Sequence, residues 1–218
     1  MQQETTSSTA VIVVDVQADF TEWKNGSLVV PGTDEVYVKQ VEEATRLLKN
    51  SGFPILATMD WHPKDHISFF TTHPGKKAFE IVQLHGHDQT LWPPHCVQGT
   101  ENARILVDNS LFDAIVQTGA DKRFESYSGF KDDAGQKTEL EAILQQIGVT
   151  NVVMYGIATD YCVRATALDA VDRGYQVILI KELCRGVAPE TSQQALEEMK
   201  QAGIVILDEL DIHKVGAV

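Results

Sequence analysis

The sequence predicts an α/β fold: a three-layer αβα domain with a central six-stranded parallel sheet and helices on both faces. Three observations carry that expectation. Short apolar runs rich in β-branched residues recur along the 218 residues, and most are followed by a stretch with helical spacing. The first run, Ala10 to Val16, shows no polar alternation before Asp15, as a strand buried on both faces of a parallel sheet must read. Reactive side chains also recur at or just past the ends of these runs, the edge where such sheets bind ligands.

In order along the chain, the first strand ends in Asp15, with Gln17, Asp19 and Phe20 just after it. Trp23 to Gly32 reads as a loop. Thr33 or Asp34 can then cap a helix whose apolar positions Val36, Val41, Ala44, Leu47 and Leu48 keep helical spacing up to Gly52. Pro54 to Met59 is the second strand and closes on Asp60. From about 61 to 100 the alternation stops. That stretch holds six of the seven histidines and four of the seven prolines, and an excursion so long points to a functional insertion. Asn102 to Asn109 is expected as a short helix, and Ala114 to Thr118 as the third strand, with Lys122 close behind. After a loop over Ser126 to Gly135, a helix over Thr138 to Gln146 is closed by Gly148. Val152 to Gly156 is the fourth strand. Cys162 follows in or next to the first turn of a helix that stops at Gly174. Gln176 to Lys181 is the fifth strand, Pro189 opens a helix with Ala195, Leu196, Met199 and Ala202, and Ile204 to Leu207 is the sixth strand. Residues 1–9 are expected to be a loosely attached tail, 10–218 a single domain, and Asp208 to Val218 a terminal tail.

Bulk properties narrow the function. A net charge of −13 argues against nucleic acid or an anionic membrane surface as partner, since both require a basic face. No apolar run approaches membrane-spanning length. Cys96, Cys162 and Cys184 make an odd count without C-x-x-C spacing, which fits a reducing compartment. The polar opening residues are unlike a secretory signal, so a cytoplasmic protein is expected. Whether it forms a homo-oligomer is left open.

The chemistry centres on Cys162. A strand end, a tight turn that includes the small residues Gly156, Ala158 and Thr159, and a helix start suit a nucleophile, because unpaired N–H groups and the helix dipole favour a thiolate. A buried structural cysteine is the alternative. Asp15 and Lys122 are its natural companions, a carboxylate to take and return the proton beside an ammonium. A capping aspartate and, next to Arg123, a solvated lysine are the alternatives. Asp60 and His62 can direct both side chains at one ion, with His95, held by Pro93-Pro94, as third ligand and His66 as a fourth or a supporting partner. Such a set suits one divalent ion, Zn²⁺, Mn²⁺ or Fe²⁺. His73, His85, His87 and His213 read as polar surface, and Cys96 as a packed thiol. Phe20, Trp92 and Tyr127 could wall a flat ring.

These segments resemble the isochorismatase-like cysteine hydrolases, in their nicotinamidase branch. The resemblance runs from Val11 to about Leu207. It rests on Val13-Val14-Asp15-Val16-Gln17-Ala18-Asp19-Phe20, Asp60-Trp61-His62-Pro63 with Asp65-His66, Trp92-Pro93-Pro94-His95-Cys96, Ser126-Tyr127-Ser128-Gly129-Phe130 and Gly156-Ile157-Ala158-Thr159-Asp160-Tyr161-Cys162-Val163. It implies a sheet order of 3-2-1-4-5-6 and a catalytic triad of Asp15, Lys122 and Cys162. It further implies a metal, Zn²⁺ first, on Asp60, His62 and His95, and an oxyanion hole from the amides of Ala158 and Cys162 after a cis Ile157–Ala158 bond. Phe20, Trp92, Tyr127, Ile157 and Ala158 would bind the substrate. The implied reaction is deamidation of nicotinamide, and of pyrazinamide, in NAD salvage. A carbamoyl or ureido hydrolase of the same superfamily, or a silent binding domain on the same fold, are the rival readings.

Overall fold

The computed structural model describes residues 8–216. Six parallel strands form one sheet: β1 (Thr9–Val14), β2 (Ile55–Asp60), β5 (Ala114–Thr118), β6 (Asn151–Ile157), β7 (Gln176–Arg185) and β8 (Val205–Leu207). Their spatial order is β5-β2-β1-β6-β7-β8. The insertion adds a separate antiparallel hairpin, β3 (Ile81–Leu84) with β4 (His87–Thr90), which sequence patterning did not reveal because its strands are short and bury little apolar surface. That hairpin shifts the labels but leaves the six parallel strands in the expected order.

The central strands β1 and β6 are buried along their whole length. Each Val or Ile so placed contributes about 1.5–3 kcal/mol, and strands covered on both faces must be apolar throughout. In register, Val13 lies beside Ala57 and Tyr155, so these three share a face. On that face the Tyr155 hydroxyl meets Thr45 Oγ1 of α1 (Glu35–Asn50) at 2.9 Å. Thr58, one residue on from Ala57, points to the opposite face, toward α2 (Leu140–Ile147) and α3 (Arg164–Asp172). Helix α4 (Pro189–Gln201) packs beside α3.

Asp34 caps α1, its carboxylate accepting from the Tyr37 amide at 2.9 Å. The buried stripe of α1 is Tyr37, Val38, Val41, Ala44, Thr45 and Leu48, whereas Val36 and Leu47 lie off it and are exposed. Three further expectations are corrected. The segment expected as a helix over 102–109 holds only two short 3-10 turns, Glu101–Ala103 and Asn109–Leu111, with extended chain between. Residues 212–216 are a short helix, α5 (Ile212–Gly216), not a tail: Asp211 caps the amides of His213 and Lys214, and Val215 is buried. Of the expected N-terminal tail, 1–7 lie outside the described residues, while Thr9 is buried and opens β1.

Candidate active site

Three strand ends meet at one rim. Asp15 follows β1 directly in the left-handed region at φ 47°, a conformation that Asp adopts more readily than most residues. Asp60 is the last residue of β2. Cys162 lies within a π-type turn, Thr159–Val163, that joins β6 to α3, a distortion common at functional sites and invisible to periodicity. The Ile157–Ala158 peptide is cis. Asp160 ties this turn to the next loop, its Oδ1 accepting from the Val187 amide at 3.0 Å.

A cavity opens at this rim. Cys162 and Ala158 border it, with Phe20, Trp92, Tyr127, Ile157, Asp60 and His95. Tyr161 and Glu125 also line it, and sequence reasoning assigned Glu125 no role there. Trp92 donates its indole N–H to the Tyr127 hydroxyl at 2.9 Å and meets Tyr161 edge-on, with ring centroids 5.2 Å apart. The aromatic walls are therefore fixed to one another.

Asp15 is buried below this rim, where the Cys162 thiol acts on it, and accepts a hydrogen bond from Thr58 Oγ1 at 2.6 Å. Burial, reinforced by the Asp60 carboxylate, pushes the Asp15 carboxyl up to about 7. Burial of the sulfur and the neighbouring Asp15 and Asp60 charges push the Cys162 thiol well above its usual range. That outcome differs from the thiolate expected at a helix start. The π-type turn separates the sulfur from the first turn of α3, and the nearest charges are acids.

Asp60 and His95 also line the cavity, and with His62 they bring their ligand atoms within 4.8 Å of one another, a set that could hold a metal ion. His62 Nε2 is 2.8 Å from Asp60 Oδ1, and His95 Nε2 is 3.2 Å from Oδ2. Both rings are anchored through Nδ1 to backbone carbonyls, His62 to Gly119 at 3.0 Å and His95 to Pro93 at 2.8 Å, which leaves Nε2 aimed at the carboxylate. Asp60 Oδ1 is buried and, apart from the His62 nitrogen 2.8 Å away, has no polar partner, which leaves it open to a cation. The donor set fits a divalent ion of the zinc type. Gly119 is required here. It sits at φ +63°, and a Cβ on it would fall 2.3 Å from His62 Cε1.

The remaining expectations divide. His66 does not join that triad: Ser68 Oγ lies 2.8 Å from its Nδ1 and the Phe124 carbonyl 3.0 Å from its Nε2. It groups instead with His62 and the buried Glu125. Lys122 is not at the site. The strand ends at Thr118, and four residues later Lys122 sits on the outer surface, 57% exposed, with its ammonium 2.7 Å from Asp65. Arg123 beside it is turned outward to Asp121. Among the described residues no lysine or arginine lines the cavity. Two scaffold residues escaped sequence reasoning. Gln17, fully buried, clamps Asp60 through both its amide and its carbonyl at 2.8 Å, and Asp19 Oδ2 accepts from the Cys96 amide at 2.7 Å, steadying the loop that carries His95. Both stand within four residues of Asp15, inside the Val13–Phe20 motif, and that position is the signal they offered.

The isochorismatase domain matches residues 9–209 of this chain. A nicotinamidase of Escherichia coli (strain K12) is 38% identical over 205 residues, covering 90% of this chain and 93% of that protein. The crystal structure of pyrazinamidase of Pyrococcus horikoshii in complex with zinc superimposes with a TM-score of 0.78 at 39% identity, over 93% of this chain and 99% of that one. The yeast nicotinamidase bound to the inhibitor nicotinaldehyde superimposes with a TM-score of 0.85 at 29% identity, over 92% and 100% of the two chains.

Proposed function

We propose that this chain, which belongs to the isochorismatase family, is a nicotinamide amidohydrolase that forms nicotinate and ammonia through a thioester on Cys162. The observation that carries this reading is one cavity lined both by Cys162, whose thiol has Asp15 as its neighbour, and by Asp60 and His95 of a cation-type triad. Pyrazinamide, a ring of the same size bearing the same carboxamide, is the second substrate.

A carboxyl near 7 can both accept and return a proton at neutral pH, which suits Asp15 to the role of base and then acid. Because the thiol is held protonated at rest, its proton passes to Asp15 as sulfur attacks the carboxamide carbon. The amides of Ala158 and Cys162 receive the developing oxyanion, and such a donor lowers the barrier by roughly 3–4 kcal/mol. Asp15 then protonates the departing ammonia and next deprotonates the water that releases nicotinate. Phe20, Trp92 and Tyr127, with Tyr161, hold the ring flat. A divalent ion on Asp60, His62 and His95 would supply a Lewis-acidic anchor for the ring nitrogen, with zinc the first choice and manganese or iron the alternatives. Three free cysteines and nicotinamide as substrate suit a cytoplasmic place in NAD recycling.

Ammonia release from nicotinamide and pyrazinamide tests the reading, measured on protein as purified, after chelation and after zinc is restored. Turnover of both amides, diminished by the chelator and recovered with metal, is expected. A metal-replete protein that releases ammonia from neither amide would overturn it.

A further inference from the structure

With Lys122 turned out to solvent, no ammonium among the described residues orients the base Asp15, and the geometry points to Thr58 as the positioning residue that does so instead, resting on the amide-hydrolase reading above. Thr58 sits on β2, 1% exposed, and its Oγ1 donates to Asp15 Oδ1 at 2.6 Å. With that oxygen engaged from the adjacent strand, the carboxylate is held in place for the proton of the Cys162 thiol.

The hydroxyl is itself held in place. A β-branched side chain is stiff about χ1, so fixing the methyl fixes the oxygen. The Thr58 methyl is pressed against the main chain at Gly129, where an added Cβ would lie only 2.9 Å from Thr58 Cγ2. That segment cannot retreat easily: the Gly129 amide donates to Thr166 Oγ1 at 2.9 Å, and its carbonyl accepts from Thr138 Oγ1 at 2.6 Å. A neutral hydroxyl wedged by packing thus fixes one carboxylate oxygen. Asp60 and His62 are the charged groups that also act on Asp15, and neither donates a hydrogen bond to it.

The test compares Thr58→Val, which keeps the shape and loses the donor, with Thr58→Ser, which keeps the donor and loses the methyl. In T58V, kcat for nicotinamide is expected to fall by about 10- to 100-fold, the usual cost of stranding a buried polar partner, with KM and zinc content near wild type. T58S is expected to recover most of the loss. Alkylation of Cys162 by iodoacetamide, which needs no substrate, is expected to follow the same order, slower in T58V and restored in T58S. Should T58V not fold, Thr58→Ala provides the same contrast with T58S. Wild-type kcat and alkylation in T58V would overturn the role, as would a T58S as impaired as T58V, since packing alone would then account for the loss. If wild type releases no ammonia, the substrate reading fails while the alkylation series still decides for or against Thr58.

Discussion

Asp15–Cys162 and Lys122–Asp65 are two pairs of ionisable side chains drawn from the same set of motifs, yet one is buried and the other lies on the outer surface. Asp15 is one residue past the last residue of β1, and Cys162 lies in the turn that leaves β6, so the sheet itself aims both inward. Lys122 comes four residues after β5 ends, beyond a glycine turn, and its chain has already reached solvent. Distance from the last hydrogen-bonded strand residue, more than residue type, separates a group that can do chemistry from one that makes a surface ion pair. Exposed pairs of that kind contribute little because water and salt screen them.

The sharpest way to break this contrast is Cys162→Ala. Ammonia release is expected to fall at least about a thousandfold, as when a covalent nucleophile is removed, with zinc content and fold unchanged by metal analysis and circular dichroism. Turnover within tenfold of wild type would remove the buried pair from the chemistry. A second variant, Gly119→Ala, probes the metal side. Its Cβ would collide with the His62 ring and strain a φ of +63°, so a loss of about 1–3 kcal/mol in denaturant unfolding and less bound zinc are expected. Full zinc occupancy in G119A would show that the turn does not set His62. The smallest effect belongs to Lys122→Ala, which should leave kcat/KM for nicotinamide within about twofold of wild type. A collapse of activity in that variant would mean that the surface pair reaches the site after all.

Much of this arrangement was readable before any coordinates. The strands around Ala10–Val14 and Val152–Gly156 announce themselves because burial on both faces demands unbroken apolar residues. Asp60, His62 and His95 were readable because a metal restricts ligand types and a strand end plus a diproline restrict their placement. Glu125 and Thr58 were not, since a lone acid or hydroxyl in a chain bears no mark of what it will face. The hairpin of residues 81–90 was hidden for a related reason: it is held by its own backbone bonds and buries little apolar surface. The helix expected over 102–109 failed because Ala103, Ile105 and Val107 are buried at alternate positions, an extended-chain pattern.

By itself the sequence determined the layered sheet and marked out Cys162 and the Asp60, His62 and His95 set, because apolar runs have only one place to go and strand ends and a diproline restrict where such residues fall. Tertiary structure alone decided which charges share the cavity with the sulfur. That outcome turns on where each strand stops and which way the following turn rotates, and a shift of three or four residues carries a side chain from the interior to water. So it placed Lys122 against Asp65 and left a threonine hydroxyl facing the base.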